Sequence, residues 1–375
     1  MTGSLEGVVV ADFSRVLAGP YATMMLADLG ATVIKIERPN VGDDTRAWGP
    51  PFAANGQSTY FQSVNRNKES RSIDLTSDDG REEALEIVGS ADVLIENFKP
   101  GALERLGLGY RALHEKFPGL VYCSITGFGS DRGADLPGYD LLVQAMGGLM
   151  SITGPGPGEP TKAGVAVVDV ITGLHATVGI LSALRHRDLT GEGQHVQVSL
   201  LTSLLSALVN QASSVVGAGI VPGIMGNEHP SITPYSVYRT ADRPIVLAVG
   251  NDRQFAALAE VLGADDLAVD ERFATNPARV DHRVELTALL EDLLATAGAD
   301  DWQERLHAVG VPCGPINDIA QAIDLADRLG LEPVVDAGGV TGIASPIRMS
   351  VTPPTYRSAP PDLFRGVDLS DGGEG

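Results

Sequence analysis

The chain reads as an α/β protein, with a parallel sheet covered by helices on both faces. Three observations point there. Short β-branched or apolar runs alternate with helical stretches through the first half of the chain. Its 44 Gly and 23 Pro are scattered rather than clustered, as many tight strand–helix connections require. At 375 residues, 43% hydrophobic and 20% charged, it has ordinary globular composition and length for two or three domains at roughly 150 residues each.

Val8–Phe13 (VVVADF) is the first predicted strand. Pro20 then opens a helical stretch, YATMMLADLG, with Gly30 placed to cap it. Thr32–Glu37 (TVIKIE), Arg71–Leu75, Asp92–Glu96 and Leu120–Ile125 read as further strands, with a helix over Asp78–Val88. Gly138–Met150 and Asp169–Arg187 read as helices separated by the loop GPGPGEP. His195–Leu201 is a strand and a long, weakly polar helix starts at Thr202. From Gly217 to Pro234 the pattern breaks into a connector. A second unit follows, with strand Ile245–Val249 and helices Gln254–Leu262, Arg283–Ala297 and Asp301–Val309. From Gly330 the tail is strand-like and Pro-rich.

A formal charge of −21 argues against a nucleic-acid partner, which needs a basic surface. Cys123 and Cys313 are too few for a disulfide scaffold, and no Cys/His spacing resembles a metal site. The N-terminus lacks a signal-peptide pattern and the apolar stretch Leu200–Ile220 is interrupted by polar residues, so the expected compartment is the cytoplasm, without membrane attachment. The first strand is followed by SRVLAGP, which lacks the G-x-G-x-x-G of dinucleotide sites, and GFGSDRG has the wrong spacing.

Asp169 follows the apolar run GVAVV and opens a helix. On spacing alone its favoured role is a helix N-cap. The same place suits a nucleophile, because a helix N-terminus favours the ionised carboxylate that must attack an acyl carbon. Arg38, Arg46, Arg66, Lys68, Arg71, Lys99 and Arg105 are concentrated in the alternating segment, several at strand ends where such sheets bind ligands. Singly each reads as a surface charge; together they suit a phosphorylated ligand.

Several long blocks, in order, resemble the class III CoA-transferases, which include formyl-CoA, carnitine and succinate–hydroxymethylglutarate CoA-transferases. They are VVVADFSRVLAGPYATMMLADLGATVIKIERP, GDDTRAWGPP, NRNKESRSIDL, ENFKPGALERLGLGY, GYDLLVQAMGGLMSITG, AVVDVITG, LTGEGQHVQVSL and GNEHPSITPY. The resemblance implies that Asp169 is the catalytic aspartate, forming first a mixed aspartyl anhydride and then an aspartyl-CoA thioester. It implies CoA contacts at Val16, Leu17, Arg38, Leu75, Asn97, Phe98, Lys99 and Arg105, with Tyr139 and Asp140 near the thioester. Acyl-CoA is then a substrate, and no tightly bound cofactor or metal is expected.

The related α-methylacyl-CoA racemases are the main alternative. They carry His where this chain has Tyr139, and a phenol is a poor base at neutral pH. A non-catalytic CoA-binding scaffold is a third reading, opposed by the intact Asp169 and ENFKPG turn. The glycine-rich loop of formyl-CoA transferases has no counterpart between His229 and Asp252, which argues against a formyl-CoA/oxalate enzyme, and the GDDTRAW and GYDLLVQAMGGLMSITG forms resemble members that use dicarboxylates such as succinate.

The implied architecture is a Rossmann-like large domain with a smaller inserted α/β domain, each chain a ring threaded by its partner in an interlocked homodimer. The expected divisions are 1–200 for the first part of the large CoA-binding domain and 201–234 for a linker helix and connector. Residues 235–315 form the small domain, and 316–375 are linker and return to the large domain.

Overall fold

A computed structural model describes residues 3–363. Six strands form one all-parallel sheet: β1 (Val9–Asp12), β2 (Thr32–Glu37), β3 (Lys68–Ser72), β4 (Val93–Glu96), β5 (Val121–Thr126) and β6 (His195–Ser199). Their order is β3-β2-β1-β4-β5-β6, with β1 paired to both β2 and β4. The chain winds outward from β1 to β3 and then returns to β4 on the other side. Loops leaving the C-terminal ends of β1 and β4 therefore diverge, and this is where such sheets open a ligand crevice.

Alternate side chains of each strand serve opposite faces. Val10, Val33, Ile95 and Cys123 join the helices Ala18–Asp28 and Val167–Thr190 in one core. Ala11, Ile36, Leu94 and Tyr122 join Ala84 and Val88 of the helix Asp78–Gly89, with Leu103, Leu108 and Leu113, in another. Both faces are thus covered, as an all-parallel sheet demands. The helix Val167–Thr190 is long and apolar enough to cross a membrane, yet Ala176, Ile180, Ala183 and Leu184 lie in the sheet core.

The described chain forms two compact units. The first comprises residues up to Leu149, Lys162–Val221 and the chain from Glu332 on; the second comprises Met150–Thr161 and Pro222–Leu331. The second has an antiparallel sheet, β7 (Tyr235–Tyr238), β8 (Ile245–Ala248) and β9 (Cys313–Pro315), in that order. Helices Asp252–Val261, Arg283–Leu294 and Ala299–Ala308 close its core around Phe255, Leu258, Leu290 and Trp302. After the helix Ile319–Arg328, the hairpin β10 (Val334–Ala337) and β11 (Val340–Ile343) begins the return to the first unit.

That return is tied down by polar side chains from early in the chain. Arg66 Nη1 donates to Ile343 O at 2.6 Å and Asn67 Nδ2 to Thr355 O at 2.8 Å. Arg357 Nη2 donates to Ala27 O and Ala31 O, at 3.0 and 2.9 Å. Residues 364–375 of the expected C-terminal return lie outside the described residues.

Three sequence expectations change. The strand expected at Arg71–Leu75 runs over Lys68–Ser72, because its N-terminal half is polar: Lys68 and Ser70 point into buried hydrogen bonds rather than an apolar core. The long helix from Thr202 is two helices, Leu200–Ala207 and Val209–Ala218, bent by 84° where Val209 takes φ 39°. The basic cluster is largely committed internally: Arg46 pairs with Glu37, Arg66 with Asp28 and Lys68 with Asp12, at 2.7, 2.7 and 3.2 Å.

Candidate active site

The divergence of β1 and β4 opens a cavity of about 650 Å³, all of whose lining residues belong to the first unit. That size falls within the roughly 300–1,000 Å³ of small-molecule sites. One wall is the segment Arg15–Ala18, between β1 and the helix it feeds. Val16 there has φ 70°, an unusual conformation for a β-branched residue, and its N–H donates to Asp43 at 3.2 Å.

Facing it, after β4, are Asn97, Phe98 and Lys99. Asn97 clasps the backbone of Arg15 from both sides: Oδ1 accepts Arg15 N–H at 2.9 Å, and Nδ2 donates to Arg15 O at 2.7 Å. Glu96 accepts the N–H of Phe98 at 2.8 Å, and burial pushes its carboxyl up to about 7. Lys99 meets Asp135 at 2.8 Å in an exposed pair.

The third wall is Gly138–Asp140, drawn against the end of β5 by a close backbone approach. A Cβ on Gly127 would lie 2.4 Å from the Cα of Gly138, so both positions require glycine. Tyr139 is 69% exposed and borders the cavity. Asp140 turns inward, where its Oδ1 accepts the N–H groups of Val168 and Asp169 at 2.8 and 3.2 Å. Gln144, fully buried, donates to the other oxygen of Asp140 at 2.5 Å.

Asp140 thereby takes over the capping that the sequence assigns to Asp169. The helix starts two residues earlier, at Val167 with Ala166 as N-cap, which places Asp169 in its first turn with its side chain released into the cavity. Burial, followed by the nearby Asp140 charge, pushes the Asp169 carboxylate up to about 7. Gly173, one turn on, lets this helix approach the first: a Cβ there would lie 2.6 Å from Ala18 O. A partly dehydrated carboxylate, ionised in substantial fraction near neutrality and facing a ligand-sized cavity, is equipped to attack an acyl carbon.

The cavity brings Asp169 together with Val16, Leu17, Asn97, Phe98, Lys99, Tyr139 and Asp140. Arg38, Leu75 and Arg105 are not in its wall. Arg38 reaches Asp44, a lining residue, at 2.5 Å. Leu75 packs with Phe98 against the core of Leu94 and Leu103, and Arg105 is exposed at the end of the short helix Ala102–Arg105.

Sequence reasoning missed Arg15, Asp44 and Trp48, which also line the cavity. Their signal was position, beside Val16 and within GDDTRAW, but a lone Arg or Asp there resembles a surface charge. Arg15 meets Asp44 at 3.1 Å while its Nε is buried without a partner. Tyr60 packs edge-on against Trp48 at 5.2 Å, and burial together with Asp169, Asp140 and Asp43 pushes its phenol up to about 12.

The family profile of CoA-transferase family III matches residues 5–367. The chain is 44% identical to the succinate–glutarate CoA-transferase of Agrobacterium fabrum, over 96% of this chain and 92% of that protein. It is 41% identical to the acetyl-CoA:oxalate CoA-transferase of Acetobacter aceti, over 93% and 90%. The crystal structure of a CAIB/BAIF family protein from Brucella suis superposes with a TM-score of 0.89 at 44% identity, covering 97% of each chain. With the family profile matching along nearly its whole length, and with relatives of 41–44% identity over nine-tenths of both chains, the chain belongs to CoA-transferase family III.

Proposed function

We propose that this enzyme moves CoA from a dicarboxylic acyl-CoA, such as succinyl-CoA, to a second carboxylic acid, with Asp169 as the covalent carrier. The observation that carries the reading is the release of Asp169 from helix capping by Asp140, which leaves a carboxylate free at the cavity. Asp169 attacks the donor thioester carbonyl, forming a mixed anhydride and expelling CoA thiolate. The thiolate attacks the Asp169 carbonyl, giving an aspartyl-CoA thioester and freeing the donor carboxylate. The acceptor carboxylate attacks that thioester, forming a second anhydride and again expelling the thiolate. Attack of the thiolate on the acceptor's acyl carbon yields the new acyl-CoA and returns Asp169 as carboxylate. One difficult exchange is divided into easier acyl transfers.

In this reading Val16, Leu17, Asn97, Phe98, Lys99, Tyr139 and Asp140 border the acyl-CoA path. Arg38 and Arg105 serve its phosphate-bearing end, and Leu75 backs Phe98. Dicarboxylates are supported by the succinate, glutarate and oxalate in the names of the relatives, the last of which weighs against the sequence expectation that sets oxalate aside. They are also supported by Arg15, a partly exposed cation in the cavity wall. Racemisation is disfavoured because Tyr139 offers a phenol where an acid–base residue is needed. The working form is an interlocked homodimer in the cytoplasm.

The test is incubation of the purified protein with succinyl-CoA and a panel of acids including glutarate, oxalate and monocarboxylates, with new thioesters identified by mass spectrometry. Transfer to dicarboxylates, and no rapid deuterium uptake at the α-carbon of a 2-methylacyl-CoA in heavy water, is the expected result. Rapid α-exchange without transfer to any acid would replace the proposal with a racemase.

A further inference from the structure

Two walls of the cavity come from separate segments of the chain but are joined underneath by one side chain. Asp43 is 1% exposed. Its carboxylate accepts the N–H of Val16, at 3.2 Å to Oδ2, and so engages the Arg15–Ala18 wall. It also accepts the N–H and hydroxyl of Thr45, at 2.9 and 2.8 Å, as N-cap of the short 3-10 turn Asp44–Ala47. That turn delivers the lining residues Asp44 and Trp48.

Asp43 is itself held in place. Its N–H donates to Glu37 Oε2 at 2.8 Å, and Lys35 Nζ approaches its Oδ2 at 2.9 Å, both side chains of the pair having no exposure. Lys35 Nζ also donates to Ser14 O at 2.9 Å, immediately before the first wall. Above the carboxylate, Arg15 meets Asp44 at 3.1 Å, so the two walls touch again at the cavity surface.

A fully buried ion pair is a weak source of stability, because desolvation offsets most of the attraction. A β-branched residue held at φ 70° costs free energy as well. Both features lie under the same stretch of cavity wall, and each is explained if the wall must hold one conformation.

We propose that Asp43 is a positioning residue for acyl-CoA. Its one carboxylate keeps Val16 in the left-handed conformation and locks the Arg15–Ala18 and Asp44–Trp48 walls in register, with Lys35 as its buried counter-ion. This rests on the reading of the cavity as the acyl-CoA site. Asp43 has no contact with the reacting atoms in this account; it acts through the backbone of Val16 and the turn that begins at Asp44.

The test compares wild type with Asp43→Asn, Val16→Gly and Asp28→Asn, measuring Kd for CoA by calorimetry and kcat and KM for the acyl-CoA. Asp28 is a control, equally enclosed and paired with Arg66, but fastening the C-terminal return rather than the cavity. Asp43→Asn is expected to raise KM and Kd about tenfold with little change in kcat, the size of one lost charge-assisted contact. Asp28→Asn should lower Tm and leave KM unchanged. Val16→Gly can adopt φ 70° without strain but is equally free to leave it, so it folds even if Asp43→Asn does not and loosens the same wall. It should raise KM in the same direction, and add little in the Asp43→Asn background where that folds.

Unchanged KM in folded Asp43→Asn or in Val16→Gly would overturn the proposal, as would an equal rise in Asp28→Asn. A wild-type protein that binds no CoA would overturn the reading of the cavity itself, a failure visible before any variant is made.

Discussion

Asp169 illustrates how one side chain acquires a role from its neighbours. Asp169→Ala and Asp169→Asn should fold and lose CoA transfer by about 10³-fold or more, as expected when a covalent nucleophile is removed. A protonated carboxyl cannot attack, so kcat/KM should fall as pH drops below about 7. Asp140→Asn removes the like charge, and the acid limb should move to lower pH. The move should be partial because burial is the larger cause. The stability consequence has the opposite sense. Folded Asp169 holds its proton more tightly than an unfolded aspartate, so its contribution to stability declines as pH rises from the unfolded value of about 3.9 towards about 7. Thermal unfolding at pH 8 should therefore find Asp169→Asn at least as stable as wild type. A lower Tm would mean that the carboxylate is satisfied in a way this geometry does not contain. The residue type and helix context of Asp169 were legible in the sequence. Its release from capping was not, because the substitute cap, Asp140, lies 29 residues away and reaches it only through the fold.

At the scale of elements, the site depends on how closely two helices meet. Gly173 sits against Ala18 O, so Gly173→Ala should push the Asp169 helix from the Arg15–Ala18 wall. A displacement near 1 Å can cost about 10²-fold in rate. The variant should stay folded with a lowered Tm and with kcat/KM down roughly tenfold to a hundredfold. Wild-type kinetics would show that the contact is slack. Strands β1, β2, β4 and β5 were legible because buried parallel strands are short β-branched runs. Strand β3 was displaced in the sequence reading because Lys68 and Ser70 face a buried polar network instead of an apolar core. The bend at Val209 was equally hidden: nothing in its side chain announces φ 39°.

For the whole molecule, the chain leaves the first unit after Val221 and rejoins it at Glu332. The short excursion Met150–Thr161 belongs to the second unit as well, so the chain crosses between the units four times, and the final return is fastened by Arg66, Asn67 and Arg357. The segment approaching the exit carries exposed apolar side chains, with Val216 at 90%, Ile220 at 63% and Val221 at 79%. Under the proposed interlocked dimer these side chains are the ones a second copy would cover. For an interlocked dimer, tagged and untagged protein mixed in the native state should form no mixed dimers, and should form them after unfolding and refolding together. Rapid native exchange would exclude threading, and a monomer in sedimentation would exclude the dimer.

The sequence alone determined the α/β class, the family resemblance and the likeness of Asp169 to a nucleophile. These are carried by local composition, short-range periodicity and contiguous motifs, all read along the chain. Only the tertiary structure decided that Asp140 caps the Asp169 helix, that Arg15, Asp44 and Trp48 share the cavity, and that Arg46, Arg66 and Lys68 are engaged in internal pairs. Each of these depends on side chains from separate segments meeting across the sheet. The partner of a charge or hydrogen-bonding group is chosen by proximity in space, which local sequence pattern does not encode.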